Sequence, residues 1–220
     1  MSSQATKPST ASIIDLLGML AYGELVAFDR IAADAKLAPD LRRRASLSAM
    51  AAAEINNYQR LVARITELGG DPEAAMTPFV EVIDAFHDST APRDWLEGLV
   101  KVYVGDSIAD DFFREMAALL PPTDRDLVLD VLHNNANAEF AISEINEALG
   151  RDPKLAGKLA LWARRLVGEA LSQAQRVAAE HDSLTEIVIE GTGDLAKVGE
   201  LIKRIMQAHS NRMTAIGLTN

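Results

Sequence analysis

The chain of 220 residues contains no cysteine. That excludes disulfide frameworks, thiolate metal sites and cysteine nucleophiles, and suits a reducing, cytoplasmic setting. No run reaches the roughly 18 apolar residues of a spanning helix, and Met1 to Ser12 is polar with no apolar centre, unlike a secretory signal. No membrane association is therefore expected. Positive charge is short as well: 22 Lys and Arg face 32 Asp and Glu, a net charge of −10. Such a field repels nucleic acid and anionic membranes. Arg42-Arg43-Arg44 and Arg164-Arg165 stand against it and read as solvated helix faces. The four histidines, His87, His133, His181 and His209, show no i, i+4 pairing and read as surface or capping residues. Gly191-Thr192-Gly193 follows no strand and has no P-loop lysine, so it reads as a turn rather than a phosphate cradle. A Gly-x-Ser-x-Gly motif is also missing.

What is present is helical periodicity, with no alternating strand, so the fold class is all-α. The spacing predicts a first helix from about Ala11 to Lys36, with the seam Ile13, Leu17, Leu20, Glu24, Phe28, Ile31 on one face. Pro39 at the first helical position and Asp40 in the first turn open a second, with the seam Leu47, Met50, Glu54, Asn57, Leu61, Ile65, Leu68; Gly69-Gly70 stops it. Asp71 to Ala91 is too long for a tight hairpin and fits a long crossover, which makes helices two and three parallel. Pro92 opens the third helix, with the seam Leu96, Leu99, Tyr103, Asp106, Asp110, Phe113. Pro121-Pro122 ends it, and Thr123 caps a fourth that carries Leu127, Val131, Asn134, Ala138, Ala141 and Ile145 to Gly150. Two helices are added, about Pro153 to His181 and Leu195 to Met213, with a loop around Gly191 and Gly193 between them. Residues 1–10 read as a disordered tail and 11–220 as a single domain: a core at 11–150 and the added helices at 151–220.

Glu24, Glu54 with Asn57, Asp106 with Asp110, and Asn134 with Asn137 each interrupt an apolar seam near its midpoint. Burying an ionised carboxylate costs several kcal/mol unless a metal, a cation or a proton compensates it. Four interruptions at one level point to one shared site. Carboxylate-rich di-metal bundles carry a Glu on each of two helices and Glu-x-x-His on each of the other two. Here the second helix reads Glu54-Ile55-Asn56-Asn57 and the fourth Asn134-Asn135-Ala136-Asn137. Asn replaces each His, and the fourth helix lacks its acid. Asn is a neutral, weak ligand. The leading expectation is a buried amide–carboxylate network without tightly bound metal. A weak or altered metal site, recruiting Glu139 or His133, and a working di-iron centre are the alternatives. Tyr103, Asp110 and Glu139 are expected around the site.

Several stretches resemble actinobacterial ferritin-like proteins related to the MiaE-type tRNA hydroxylases. They are Ala21-Tyr22-Gly23-Glu24-Leu25, Pro78-Phe79-Val80 with Asp84-Ala85-Phe86-His87, and Asp94-Trp95-Leu96-Glu97-Gly98-Leu99-Val100-Lys101. Ala138-Glu139-Phe140-Ala141 and the run from Arg165 to Gln175 around Val167-Gly168-Glu169 complete the set. The resemblance implies a ferritin-like four-helix bundle with a long crossover between helices two and three and two additional C-terminal helices. By inheritance it also implies a non-haem di-iron hydroxylase acting on a modified tRNA base. Glu24, Glu54 and Asp106 match the carboxylates of the first three helices. Asn57, Asn134 and Asn137 stand at vestigial ligand positions and do not match. The expected function is thus a non-catalytic or altered binding or structural member, with the iron-dependent hydroxylase as the alternative and tRNA a partner by analogy only. Apolar residues on the added helices, Trp162, Leu166, Ile202 and Met206, lead to the expectation of a homodimer.

Overall fold

The computed structural model describes residues 8–132, 135–192 and 196–218. Helix α1 (Thr10–Asp34) is capped by Ser9, whose hydroxyl accepts the Ser12 N–H at 3.1 Å. It therefore starts inside the segment expected to be tail; residues 1–7 lie outside the described part. By length and composition alone, Thr10–Leu37 could cross a membrane, with a mean hydropathy of 1.6 over its most apolar 18 residues, contrary to the sequence reading. Its buried face instead packs in the core, against α2 (Leu41–Glu67). Asp40 caps α2 rather than entering its first turn, accepting the Arg43 N–H at 2.9 Å. A Schellman motif ends α2: Gly69 N–H reaches Thr66 O and Gly70 N–H reaches Ile65 O, both at 3.0 Å, with Gly69 at φ +82°.

The crossover is helical, folding into α3 (Pro72–Met76) and α4 (Val80–Ser89). Here α3 crosses α1 so closely that a Cβ on Gly18 would lie 2.3 Å from the Ala75 carbonyl oxygen. The third bundle helix is one rod of three parts: α5 (Trp95–Val100), a π-helical segment (Lys101–Asp106) and α6 (Ser107–Ala117). Asp94, not Pro92, starts it, accepting the Glu97 N–H at 3.0 Å. The fourth helix is broken where a single one was expected. Pro122 takes the first helical position of α7 (Pro122–Val131), Leu132 turns extended at ψ 145°, and α8 spans Asn135–Arg151. Helix α9 (Leu155–Glu180) agrees with the periodicity. Residues read as lying beyond it, up to a loop at Gly191, instead form α10 (Asp182–Thr192), and α11 (Ala196–Ala215) closes the chain. No strand occurs among the described residues.

The core divides in two. A first apolar cluster joins Leu16, Leu17 and Leu20 of α1 to Leu61 and Ile65 of α2, Phe113 and Met116 of α6, and Val128 and Val131 of α7. A second joins Ile31, Leu47, Met50, Leu99, Val104, Ile145, Leu159 and Leu166. Helices α1, α2, α9 and α11 each run from one cluster into the other.

Candidate functional site

The boundary between the clusters is polar. On α1 the first cluster ends at Ala21 and the second begins by Ile31; on α2 the change falls between Ala51 and Leu61; on the third rod, between Val104 and Phe113. Glu24, Glu54 with Asn57, and Asp110 occupy those gaps. Glu24 is 3% exposed, Glu54 1% and Asp110 8%. The mid-seam phase read from the sequence therefore corresponds to burial in the fold. Asn134 and the side chain of Asn137, like His133, lie outside the described residues. Asn56, beside Asn57 on α2, is exposed and so does not join the layer. Glu139 is exposed on α8 and so does not join the buried layer. Tyr103 is buried one turn along; burial pushes its phenol up, opposed by the charge of Arg212.

Asn57 gives the layer its chemistry. Its Nδ2 donates to Glu24 Oε2 at 3.2 Å and to the Val131 carbonyl oxygen at 2.9 Å. Both partners are acceptors, so the amide orientation is set by the network. An amide NH2 offers donors and no metal-binding lone pair. Asn57 thus faces the Glu24 carboxylate with hydrogens. Among the described residues no group of three acidic or imidazole side chains is placed to hold a metal ion. Among the described residues, the donor set does not fit the di-metal centre of carboxylate bundles.

Asp106 faces a different environment. It is half-buried and lines a cleft of about 240 Å³, part of it open solvent, with Arg30, Asp34, His87 and Lys101. Lys101 is 4% exposed, donates to the Thr90 carbonyl oxygen at 2.9 Å, and lies 5.6 Å from the Phe86 ring centre. Burial pulls its pKa down, while Asp106 and Asp34 pull it back. Burial also raises Asp34 to about 6 against the charges of Lys101 and Arg30, and it lowers His87 to about 3, helped by the same two cations. Arg30 is tied to Asp88 at 2.9 Å. Sequence reasoning missed Lys101 and His87. The available signal was a lysine inside the apolar run Leu99-Val100-Lys101-Val102-Tyr103-Val104.

Other polar residues prove structural. Glu97 is buried and bound by Arg93 at 3.1 and 3.2 Å, with Lys158 at 3.3 Å; burial pushes its carboxyl up, but these partners outweigh it and hold it below the usual range. Trp162 Nε1 donates to the Glu97 carbonyl oxygen at 2.9 Å, tying α9 to α5. Arg43, from the basic run of α2, is engaged by Glu144 and Glu147 of α8, so only its neighbours Arg42 and Arg44 are exposed. Tyr22 donates to Asp84 at 2.9 Å, joining α1 to the crossover.

No curated protein matches the chain in a sequence comparison. Residues 8–191 match the family described as the ferritin-like domain of actinomycetes, a span that takes in the bundle, the polar layer and the first added helix. The chain belongs to this actinomycete ferritin-like family.

Proposed function

We propose that the protein is a non-catalytic or altered member of its family, akin to the MiaE-type tRNA hydroxylases, which keeps the bundle as a binding or structural scaffold and holds no tightly bound metal. The observation that carries this reading is the Asn57 amide, donating to Glu24 and Val131 where an imidazole ligand would otherwise stand. A satisfied amide–carboxylate pair compensates a buried acid by hydrogen bonds rather than by a cation. The proposed setting is the cytoplasm, with residues 11–220 acting as one domain. Exposed Leu161 and Ile202 on the added helices support a homodimer. Trp162 and Leu166, expected to enlarge that surface, are buried in the second cluster instead.

One observation favours the alternative, a non-haem di-iron hydroxylase acting on a modified tRNA base. The π-helical segment ends at Asp106, the third-helix carboxylate, and π-bulges concentrate at functional sites. Metal analysis of the full chain after expression in iron-replete medium separates the readings. Iron well below one equivalent supports the scaffold. Stoichiometric di-iron with an oxo-bridged absorption band would establish the hydroxylase.

A further inference from the structure

Helix α11 lies beyond the family match, which ends at residue 191. Its inward face advances in four-residue steps through Leu201, Ile205, His209 and Met213, a spacing that keeps side chains on one side of a helix. Leu201 and Ile205 belong to the first apolar cluster, and Met213 and Ile216 to the second. His209 falls between them, at the same passage that Glu24, Glu54 and Asp110 occupy on the bundle helices. It is 3% exposed. An imidazole in an otherwise apolar seam is costly to bury away from polar groups. At this height the polar layer supplies such groups.

Two ion pairs fix the height of α11. Arg204 holds Glu115 at 2.8 Å through its Nε, and Arg212 holds Asp111 at 2.6 Å. The two helices are therefore antiparallel, and His209, between the two rungs, lies alongside the stretch of α6 from Asp111 to Glu115, which begins one residue after Asp110. The charge of Arg212 also reaches Tyr103 on the π-helical segment. A lone histidine in the sequence thus acquires a place in the fold that its neighbours in the chain do not indicate.

We propose that His209 is an imidazole of the central layer. It acts as a positioning residue that hydrogen-bonds the acidic side of the layer around Asp110 and makes α11 part of the site. The idea rests on reading the layer as a hydrogen-bonded network. It adds a fifth helix and a nitrogen-bearing side chain to what the four bundle helices provide.

Nuclear magnetic resonance on the full chain with labelled histidine tests it, the ring signals being assigned with His209→Gln. In the unsubstituted protein, the His209 ring protons should show Overhauser contacts to the Asp110 β-protons. The ring nitrogens should shift, with a change of tautomer balance, in Asp110→Asn or Glu54→Gln. Asp124→Asn, which alters a buried carboxylate held by Arg64 instead, should leave them in place. Ring contacts to apolar side chains alone would overturn the proposal, and this readout needs no substituted protein to fold. Stoichiometric iron alongside intact His209–Asp110 contacts would reject the network reading while leaving the placement of His209 standing.

Discussion

Two adjoining regions of this protein bury acids, and they compensate them by different means. In the central layer Glu24 meets the Asn57 amide, a donor without charge. In the cleft beside it, Asp34 and Asp106 face the Lys101 ammonium, with the unpartnered Nδ1 of His87 close by. An amide satisfies a carboxylate without introducing a second ion to desolvate. A lysine brings full opposite charge but must itself leave water. The cleft accordingly shows displaced titrations: Lys101 and His87 down, Asp34 up. The central layer should depend on hydrogen-bond geometry, and the cleft on pH.

The sharpest break of that contrast is Lys101→Met. It strips the cleft of its buried cation and the Thr90 carbonyl of its donor, so a loss of about 3 kcal/mol is expected at pH 8. Chemical denaturation should show the loss shrinking at pH 5, where Asp34 takes up a proton. An equal loss at both pH values would mean that packing, not charge, is what Lys101 provides. His87 comes next. Its folded-state pKa of about 3 lies below the ordinary 6.5. The unfolded chain therefore binds the proton first, and stability is present above pH 6.5 and is lost as pH falls toward 3. Relative to His87→Phe, the wild type should lose about 3 kcal/mol between pH 7 and pH 4. Parallel stability curves for the two proteins would show that His87 is not buried in its neutral form.

In the central layer, Asn57→Ala should cost about 1–3 kcal/mol, because Glu24 and the Val131 carbonyl both lose a donor. Unlike the cleft variants, it should do so almost equally at pH 6 and pH 8. A loss confined to one pH would show that the layer too is governed by titration. The smallest effect belongs to Asp34→Asn. Asp34 has a folded pKa of about 6 against an ordinary 3.8. The folded chain holds the proton more tightly, so ionised Asp34 weakens the fold above pH 6, and the penalty disappears as pH falls toward 4. The variant should gain no more than about 1 kcal/mol at pH 8 once solvent screening is counted, and nothing at pH 4. A net loss at pH 8 would show that pairing with Lys101 outweighs burial.

The central layer was legible in the sequence because Glu24, Glu54 and Asp110 share the phase of apolar seams, and a seam position on an amphipathic helix points inward wherever that helix packs. The cleft was not legible. Lysine and histidine on a helix usually mark solvent, and Lys101 is buried because the π-helical segment and the crossover helix α4 close over it. His209 was read as a surface residue for the same reason. Gly191 was misread as loop for another: glycine weakens a helix by only about 1 kcal/mol, and Leu184, Ile187 and Val188 recover more than that by packing in the first cluster; Gly193, the other half of that expectation, lies outside the described residues.

By itself, then, the sequence determined the all-α class, the seams of the bundle helices, their Gly and Pro stops, and the level of the polar interruption, since periodicity and caps act within a few residues. Tertiary structure alone decided which acids met an amide and which met a lysine. It also decided that the fourth bundle helix breaks at Leu132, and that α11 sets His209 at the height of the layer. Those outcomes depend on contacts between segments far apart in the chain, whose burial and local dielectric exist only after the helices have packed.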